Sequence, residues 1–286
     1  MTDTALDLAE LAVRLPKSGL TVRGWHNRGT GGPPTLCLHG VLDNCASFVP
    51  FLERAGDLDL TAIDLPGHGR SDPIGSVTCN YYDYVAAILE FAQLQGWDTF
   101  RLIGHSMGGA LSTVVAGAHP EKVSKLVLID ALGPAAVPAD ETRTTVARYL
   151  RAFLDGREAP RYRSIEQAVH ARMQLADILL DTAERLVERD LVAVGDGYSW
   201  RTDPRIKYPP VRTFGEEQVL AFIRAITAPT LLISATRTSL VEDYYPRRIA
   251  SVPDLRHVTV PGSHHVHMEN AGPVTELITK FLGAGN

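Results

Sequence analysis

Residues 99–118 read TFRLIGHSMGGALSTVVAGA, and this stretch decides the fold. An apolar run ending at Ile103 passes directly into Gly104-His105-Ser106-Met107-Gly108, and then into small residues with helical periodicity. A strand that turns straight into a helix through G-x-S-x-G is the setting of a nucleophile elbow. Sterics explain the composition. So tight a turn holds Ser106 in an unfavourable backbone region, and neighbours bulkier than glycine would collide with the strand or the helix. In return, the Ser106 hydroxyl projects at a helix N-terminus, whose partial positive charge favours a developing anion.

Outward from the elbow, short apolar runs recur at 35–38 (TLCL), 58–63 (LDLTAI), 125–129 (KLVLI) and 230–234 (TLLIS), with a weaker one at 255–260 (LRHVTV). Helix-like segments at 81–95, 107–118, 242–250 and 272–282 separate them. Strand and helix in alternation predict an α/β protein whose parallel sheet is covered on both faces, with right-handed crossovers. Ahead of these, 11–15 and 20–25 alternate like half-buried strands around the turn-prone Pro16-Lys17-Ser18-Gly19.

The rhythm breaks between 134 and 226. Charged helix-like segments at 141–154 and 165–191 lead to a Pro-rich stretch at 203–213, with no strong buried strand. This predicts a helical cap, 134–226, inserted into a core made of 1–133 and 227–286.

The chain's 286 residues suit one large or two small domains, at about 150 residues each. Lys plus Arg is 28 against 33 Asp plus Glu, a net charge of −5, so there is no basic surplus for nucleic acid or an anionic membrane. No apolar run approaches the ~20 residues of a membrane span. The opening MTDTALDLAE lacks the basic and apolar regions of a secretory signal. Cys37, Cys45 and Cys79 form no CxxC pair. A soluble, cytoplasmic protein acting on a small molecule is expected.

A serine nucleophile needs a base, and Pro261-Gly262-Ser263-His264-His265-Val266-His267-Met268-Glu269 supplies candidates in a loop after the last strand. His264, His265 and His267 also raise a metal reading. Adjacent imidazoles seldom converge, however, and no partner Cys or HExxH accompanies them, so no metal site is expected. After TLCL comes His39-Gly40-Val41. Its turn can direct the Val41 N–H toward the nucleophile, making a two-donor oxyanion hole with the N–H of Met107. His39, Gly40, Asp43 and His105 are candidates for shaping the substrate pocket. Arg70, Ser71 and Asp72 read as residues that hold loops together.

Taken together, His39-Gly40, DLPGHGRS (64–71), GHSMGG (104–109) and His264-x-x-His267-x-Glu269 resemble the α/β-hydrolase superfamily, in order, from about 20 to 283. LHGVLDNCASF (38–48) and GSHHVHMEN (262–270) look most like its serine hydrolase-like branch. The resemblance implies an α/β-hydrolase fold: an eight-stranded, mostly parallel sheet flanked by helices, with a helical cap and no cofactor. It puts the catalytic histidine five residues before the glutamate, at His264. Many members carry the acid after the strand that here reads TLLIS, but the turn Ala235-Thr236-Arg237-Thr238-Ser239 has no carboxylate. Others carry it after the strand that follows the elbow helix, which gives Asp130. Glu242 and Asp243 are the alternatives.

The reading is a carboxylesterase-like serine hydrolase with Ser106, His264 and Asp130 as triad. Its substrate is an ester-like small molecule, cleaved through an acyl-enzyme. A C–C bond hydrolase using Arg201, Arg205 or Arg212 from the cap, an acyltransferase, and a small-molecule receptor stand as alternatives.

Overall fold

Within each apolar run, successive side chains point to opposite faces of the sheet, and both faces are buried. Leu36, Leu38, Leu102, Leu126, Leu128 and Leu232 join one core cluster. Cys37, Ile103, Val127, Ile129, Leu231 and Ile233 join the other. This is why the runs read as continuously apolar rather than alternating. The computed structural model describes residues 8–27, 29–76, 79–156, 158–176, 178–208, 214–238, 240 and 242–283.

The chain opens with the hairpin β1 (Ala9–Leu15) and β2 (Leu20–His26), followed by β3 (Gly31–Leu38), α1 (Val49–Leu52) and β4 (Leu58–Ile63). Next come α2 (Tyr81–Leu94), β5 (Phe100–His105), α3 (Met107–Ala118) and β6 (Val123–Ile129). After an excursion the chain resumes with α7 (Glu216–Ala225), β10 (Thr230–Ala235), α8 (Tyr245–Ile249), β11 (Leu255–Val260), α9 (Val266–Glu269) and α10 (Ala271–Gly283). The strands form one eight-stranded sheet in the order β1-β2-β4-β3-β5-β6-β10-β11. Only the β1–β2 and β2–β4 pairings are antiparallel. The expected mostly parallel sheet is present. Among the described residues, no helix is long and apolar enough to cross a membrane.

The excursion holds α4 (Thr142–Asp155), β7 (Arg161–Tyr162), α5 (Ile165–Ala176), α6 (Leu180–Asp190), β8 (Leu191–Val194) and β9 (Gly197–Trp200). Two features differ from the sequence reading. The 165–191 segment is two helices rather than one, and β7, β9 and β8 form a small antiparallel sheet. The excursion has its own cluster of Ala168, Val169, Ala183, Leu186, Val187 and Trp200, which also reaches Met268 in α9. α7, late in the 134–226 interval, returns to the main sheet and buries Val219 and Ile223 in its core.

Buried contacts bind the excursion to the sheet, two of them from α6. Arg189 Nε donates to both Asp64 carboxylate oxygens at 3.0 and 2.9 Å, with the guanidinium over the Trp25 ring. Asn44 Nδ2 donates to Leu186 O at 2.8 Å. The DLPGHGRSD segment holds loops together, as its sequence suggests. Asp64 accepts from Cys45 N and Arg70 N, Ser71 Oγ accepts from Arg23 N, and Asp72 accepts from Thr21 N.

Asp190, at the end of α6, gives the excursion a pH signature. Burial pushes its carboxyl up to about 7, against hydrogen bonds from Thr202 that favour the anion. A folded-state value raised above the ordinary 3.8 gives stability that is complete below 3.8 and lost as pH rises through about 7. Asp190→Asn cannot ionise. Its melting temperature relative to wild type is therefore expected to climb between about pH 4 and pH 8. A pH-independent difference contradicts the assignment.

Candidate active site

The parallel strands end at one edge, and the residues singled out above lie at or just beyond those ends. Register brings the ends together: Leu38 pairs with Gly104, His105 with Ile129, Ile129 with Ile233, and Ala235 with Val260. His39–Asp43, Ser106, Asp130 and His264 therefore emerge as neighbours from segments far apart in the chain.

Ser106 has φ 50° and ψ −116°. Backbone strain of this kind costs roughly 1–3 kcal/mol and persists only where the surroundings impose it. Here its N–H donates to Ile129 O at 3.1 Å, and its carbonyl accepts from Ala110 N at 3.0 Å, the first turn of α3. A Cβ on Gly104 would overlap the Gly108 carbonyl, and one on Gly108 would overlap that of Leu38. Both glycines are there because strand and helix pass so closely.

Gly108 N–H donates to His39 O at 3.0 Å, tying the start of α3 to the end of β3. The chain then turns through Gly40-Val41-Leu42-Asp43, closed by Asp43 N–H to Gly40 O at 3.2 Å, with Leu42 at φ 61°. A Cβ on Gly40 would come within 2.8 Å of Asp43 Oδ2 and 2.9 Å of His105 Nδ1, so only glycine fits. Val41 stays 46% exposed, and Ser106 and Met107 are half-buried. His39 is buried and structural: Nδ1–H donates to Gly40 O at 2.7 Å, and Nε2 accepts from Leu65 N at 2.9 Å.

His264 Nδ1–H donates to Asp130 Oδ2 at 2.7 Å. Asp130 is buried with φ 48°, and its N–H donates to Ile233 O. Its other oxygen, Oδ1, accepts from Ala235 N at 3.1 Å and Thr238 Oγ1 at 2.5 Å. The turn after β10, which lacks a carboxylate, thus supplies a hydroxyl that pins the Asp130 carboxylate. Thr236 N and Arg237 N in turn donate to Val260 O and Gly262 O, anchoring the loop that leads to His264. Glu242 and Asp243 are exposed. His105 Nε2–H donates to His264 O at 2.8 Å, and the two rings lie 4.7 Å apart, so the elbow and the histidine loop are in direct contact.

A strained Ser after a central parallel strand and a His–Asp pair from later strand ends share one sheet edge. A family model described as alpha/beta hydrolase fold matches residues 33–271. The chain belongs to that family. The hydrolase is 31% identical over 268 residues to a serine hydrolase-like protein of Dictyostelium discoideum, across 86% of this chain and 74% of the relative. It is 28% identical over 258 residues to the 2-(acetamidomethylene)succinate hydrolase of Mesorhizobium japonicum, across 88% and 89%. A crystal structure of a hypothetical protein from Pseudomonas aeruginosa PAO1 matches with a TM-score of 0.89 and 32% identity, covering 96% of this chain and 99% of that one. The expected serine hydrolase-like branch holds.

The three histidines of the 264–267 loop of the hydrolase have separate partners, although each ring packs within 5.0 Å of the His105 ring. His264 faces Asp130, His265 Nε2–H donates to Asp43 Oδ1 at 3.2 Å, and His267 packs 4.2 Å from the His105 ring and 5.4 Å from Phe48. Burial holds the His105 imidazole down to about 4, with Asp43 pulling the other way, and holds His267 well below the usual histidine range. Among the described residues, Asp43, His105 and His265 bring potential metal-ligating atoms within 4.8 Å of one another. Arg172 Nη2 already donates to Asp43 Oδ1 at 2.6 Å, so a guanidinium supplies the positive charge there. Arg172, in α5, carries no sequence signal, because its partner lies 129 positions away. Of the arginines of 134–226 considered above, Arg205 is tied to Asp203, Ser76 O and Ile74 O. Arg201 is exposed, and Arg212 lies outside the described residues.

Proposed function

We propose that the protein is a serine-dependent hydrolase of small-molecule esters or related acyl compounds. Ser106 attacks the acyl carbon, and His264 takes its proton through Nε2. Asp130 fixes the Nδ1–H tautomer and stabilises the imidazolium. The N–H groups of Val41 and Met107 hold the oxyanion, each worth about 3 kcal/mol of the barrier. His264 then returns the proton to the leaving group, and water cleaves the acyl-enzyme by the same route in reverse. Within 134–226, the segment ahead of α7 forms a cap that shapes the pocket and excludes water. His39 and Gly40 shape the turn under the site rather than contact substrate.

The observation that carries this reading is the strained Ser106 at the same sheet edge as the 2.7 Å His264–Asp130 hydrogen bond. The Dictyostelium and Mesorhizobium relatives are both named as hydrolases or hydrolase-like, which supports the reaction class.

Rapid mixing with p-nitrophenyl esters of graded chain length tests it. A burst of p-nitrophenol close to one equivalent per protein is expected before the steady rate, because acylation outruns deacylation. Dialysis against EDTA is expected to leave both phases unchanged. Absence of hydrolysis across the series, or activity lost to EDTA and restored by zinc, contradicts the proposal.

A further inference from the structure

Asp43 is 1% exposed and sits two residues beyond Val41. Its carboxylate meets three separate elements. Arg172 from α5 donates to Oδ1 at 2.6 Å, His265 donates to the same oxygen at 3.2 Å, and His105 Nδ1 lies 3.4 Å from Oδ2. Burial opposes ionisation of Asp43, yet His265, His105 and Arg172 together hold its carboxyl well below the usual range. The next residue, Asn44, donates to the Leu186 carbonyl of α6 and accepts from Ala46 N at 3.0 Å. The turn that presents Val41 is therefore tied at its end to α5 and α6 of the cap. His105, whose ring abuts the same carboxylate, donates Nε2–H to the His264 carbonyl.

We propose that the Asp43–Arg172 pair is a latch through which the docked cap sets the Val41 N–H and His264, with Arg172 and Asp43 as positioning residues. This rests on the serine-hydrolase reading above. A donor serves the transition state only when held within about 0.4 Å of its place, since oxyanion distances run from about 2.7 to 3.1 Å. The turn has little rigidity of its own: one backbone hydrogen bond closes it, with Leu42 at positive φ. Side-chain tethers supply the rest. The cap thus acts on the chemical step through Asp43, and not only on which substrates enter. Because the oxyanion forms only as the acyl carbon is attacked, loosening this turn lowers kcat and leaves ground-state binding unchanged.

The test uses p-nitrophenyl acetate, an ester with a minimal acyl group, and the variants Arg172→Met, Asp43→Asn and the double Asp43→Asn/Arg172→Met. Each is expected to lose on the order of 10² in kcat with KM within about twofold of wild type. The double should be no slower than either single, because the two residues act as a unit. Arg172→Met alone leaves an unpaired buried carboxylate and can fail to fold. The double removes both charges, so it is the deciding variant, with its melting curve as the control for folding. A folded double within about threefold of wild-type kcat overturns the latch, as does a loss confined to KM or single losses that multiply. If wild type itself neither hydrolyses the ester nor gives a burst, the serine-hydrolase reading falls and the latch falls with it.

Discussion

Ser106→Ala is expected to lower kcat by at least ~10⁴ while the protein stays folded. Without the hydroxyl there is no acyl-enzyme, and what remains is binding plus the backbone donors. The strained backbone sharpens this prediction. Alanine at φ 50° is as strained as serine, so Ser106→Ala should melt near wild type. Ser106→Gly should be equally inactive yet more stable by about 1 kcal/mol, since glycine adopts positive φ without a Cβ clash. An inactive but stabilised variant is what a residue held in strain for its chemistry gives. Kinetics on p-nitrophenyl esters and melting curves of both variants check the pair. A Ser106→Gly protein less stable than wild type would mean that the elbow stores no strain.

Asp130→Asn is expected to cost ~10⁴ in kcat, through the tautomer of His264 rather than through packing. Thr238 Oγ1 and Ala235 N both donate to Oδ1, so the carboxamide oxygen keeps that place. Its NH2 group then faces His264 Nδ1, where Asp130 now presents an acceptor. Nδ1 must accept, the ring proton moves to Nε2, and the nitrogen proposed as general base is blocked. Thr238→Val should cost less, about 10-fold, since it removes one donor and leaves the carboxylate. Glu242→Gln and Asp243→Asn, both exposed, should stay within about twofold. If Asp130→Asn is nearly silent while either of these cripples turnover, the acid has been misassigned.

The sheet was legible because its strands are buried on both faces, which leaves short apolar runs that stand out from the helices between them. The elbow was legible because sterics confine it to glycines at fixed spacing around a serine. Asp130 directly follows a strand and the 261–269 loop trails one, so both were legible as residues of the shared edge, while the choice of His264 within that loop rested on the family resemblance. The excursion resisted the same treatment. β7 has two residues and β8 four, too short for an alternating pattern, and their pairing across the excursion depends on packing. The break between α5 and α6 falls in LADILL, which has neither glycine nor proline to mark it. Arg172 on Asp43 and Arg189 on Asp64 are contacts across more than a hundred residues, and nothing local distinguishes these arginines from solvated ones. Thr238 is the instructive case. A turn with no carboxylate looked empty, yet it holds the carboxylate that another strand supplies.

The central claim is that Ser106 is the nucleophile, and a fluorophosphonate probe tests it most directly. The reagent forms a phosphonyl ester with an activated serine, and its phosphonyl oxygen occupies the oxyanion position. Digestion and mass spectrometry of the labelled protein should find a single adduct on the peptide carrying Gly104-His105-Ser106-Met107-Gly108, at one per chain, and none in Ser106→Ala. An adduct on a different serine, or equal labelling of Ser106→Ala, contradicts the account.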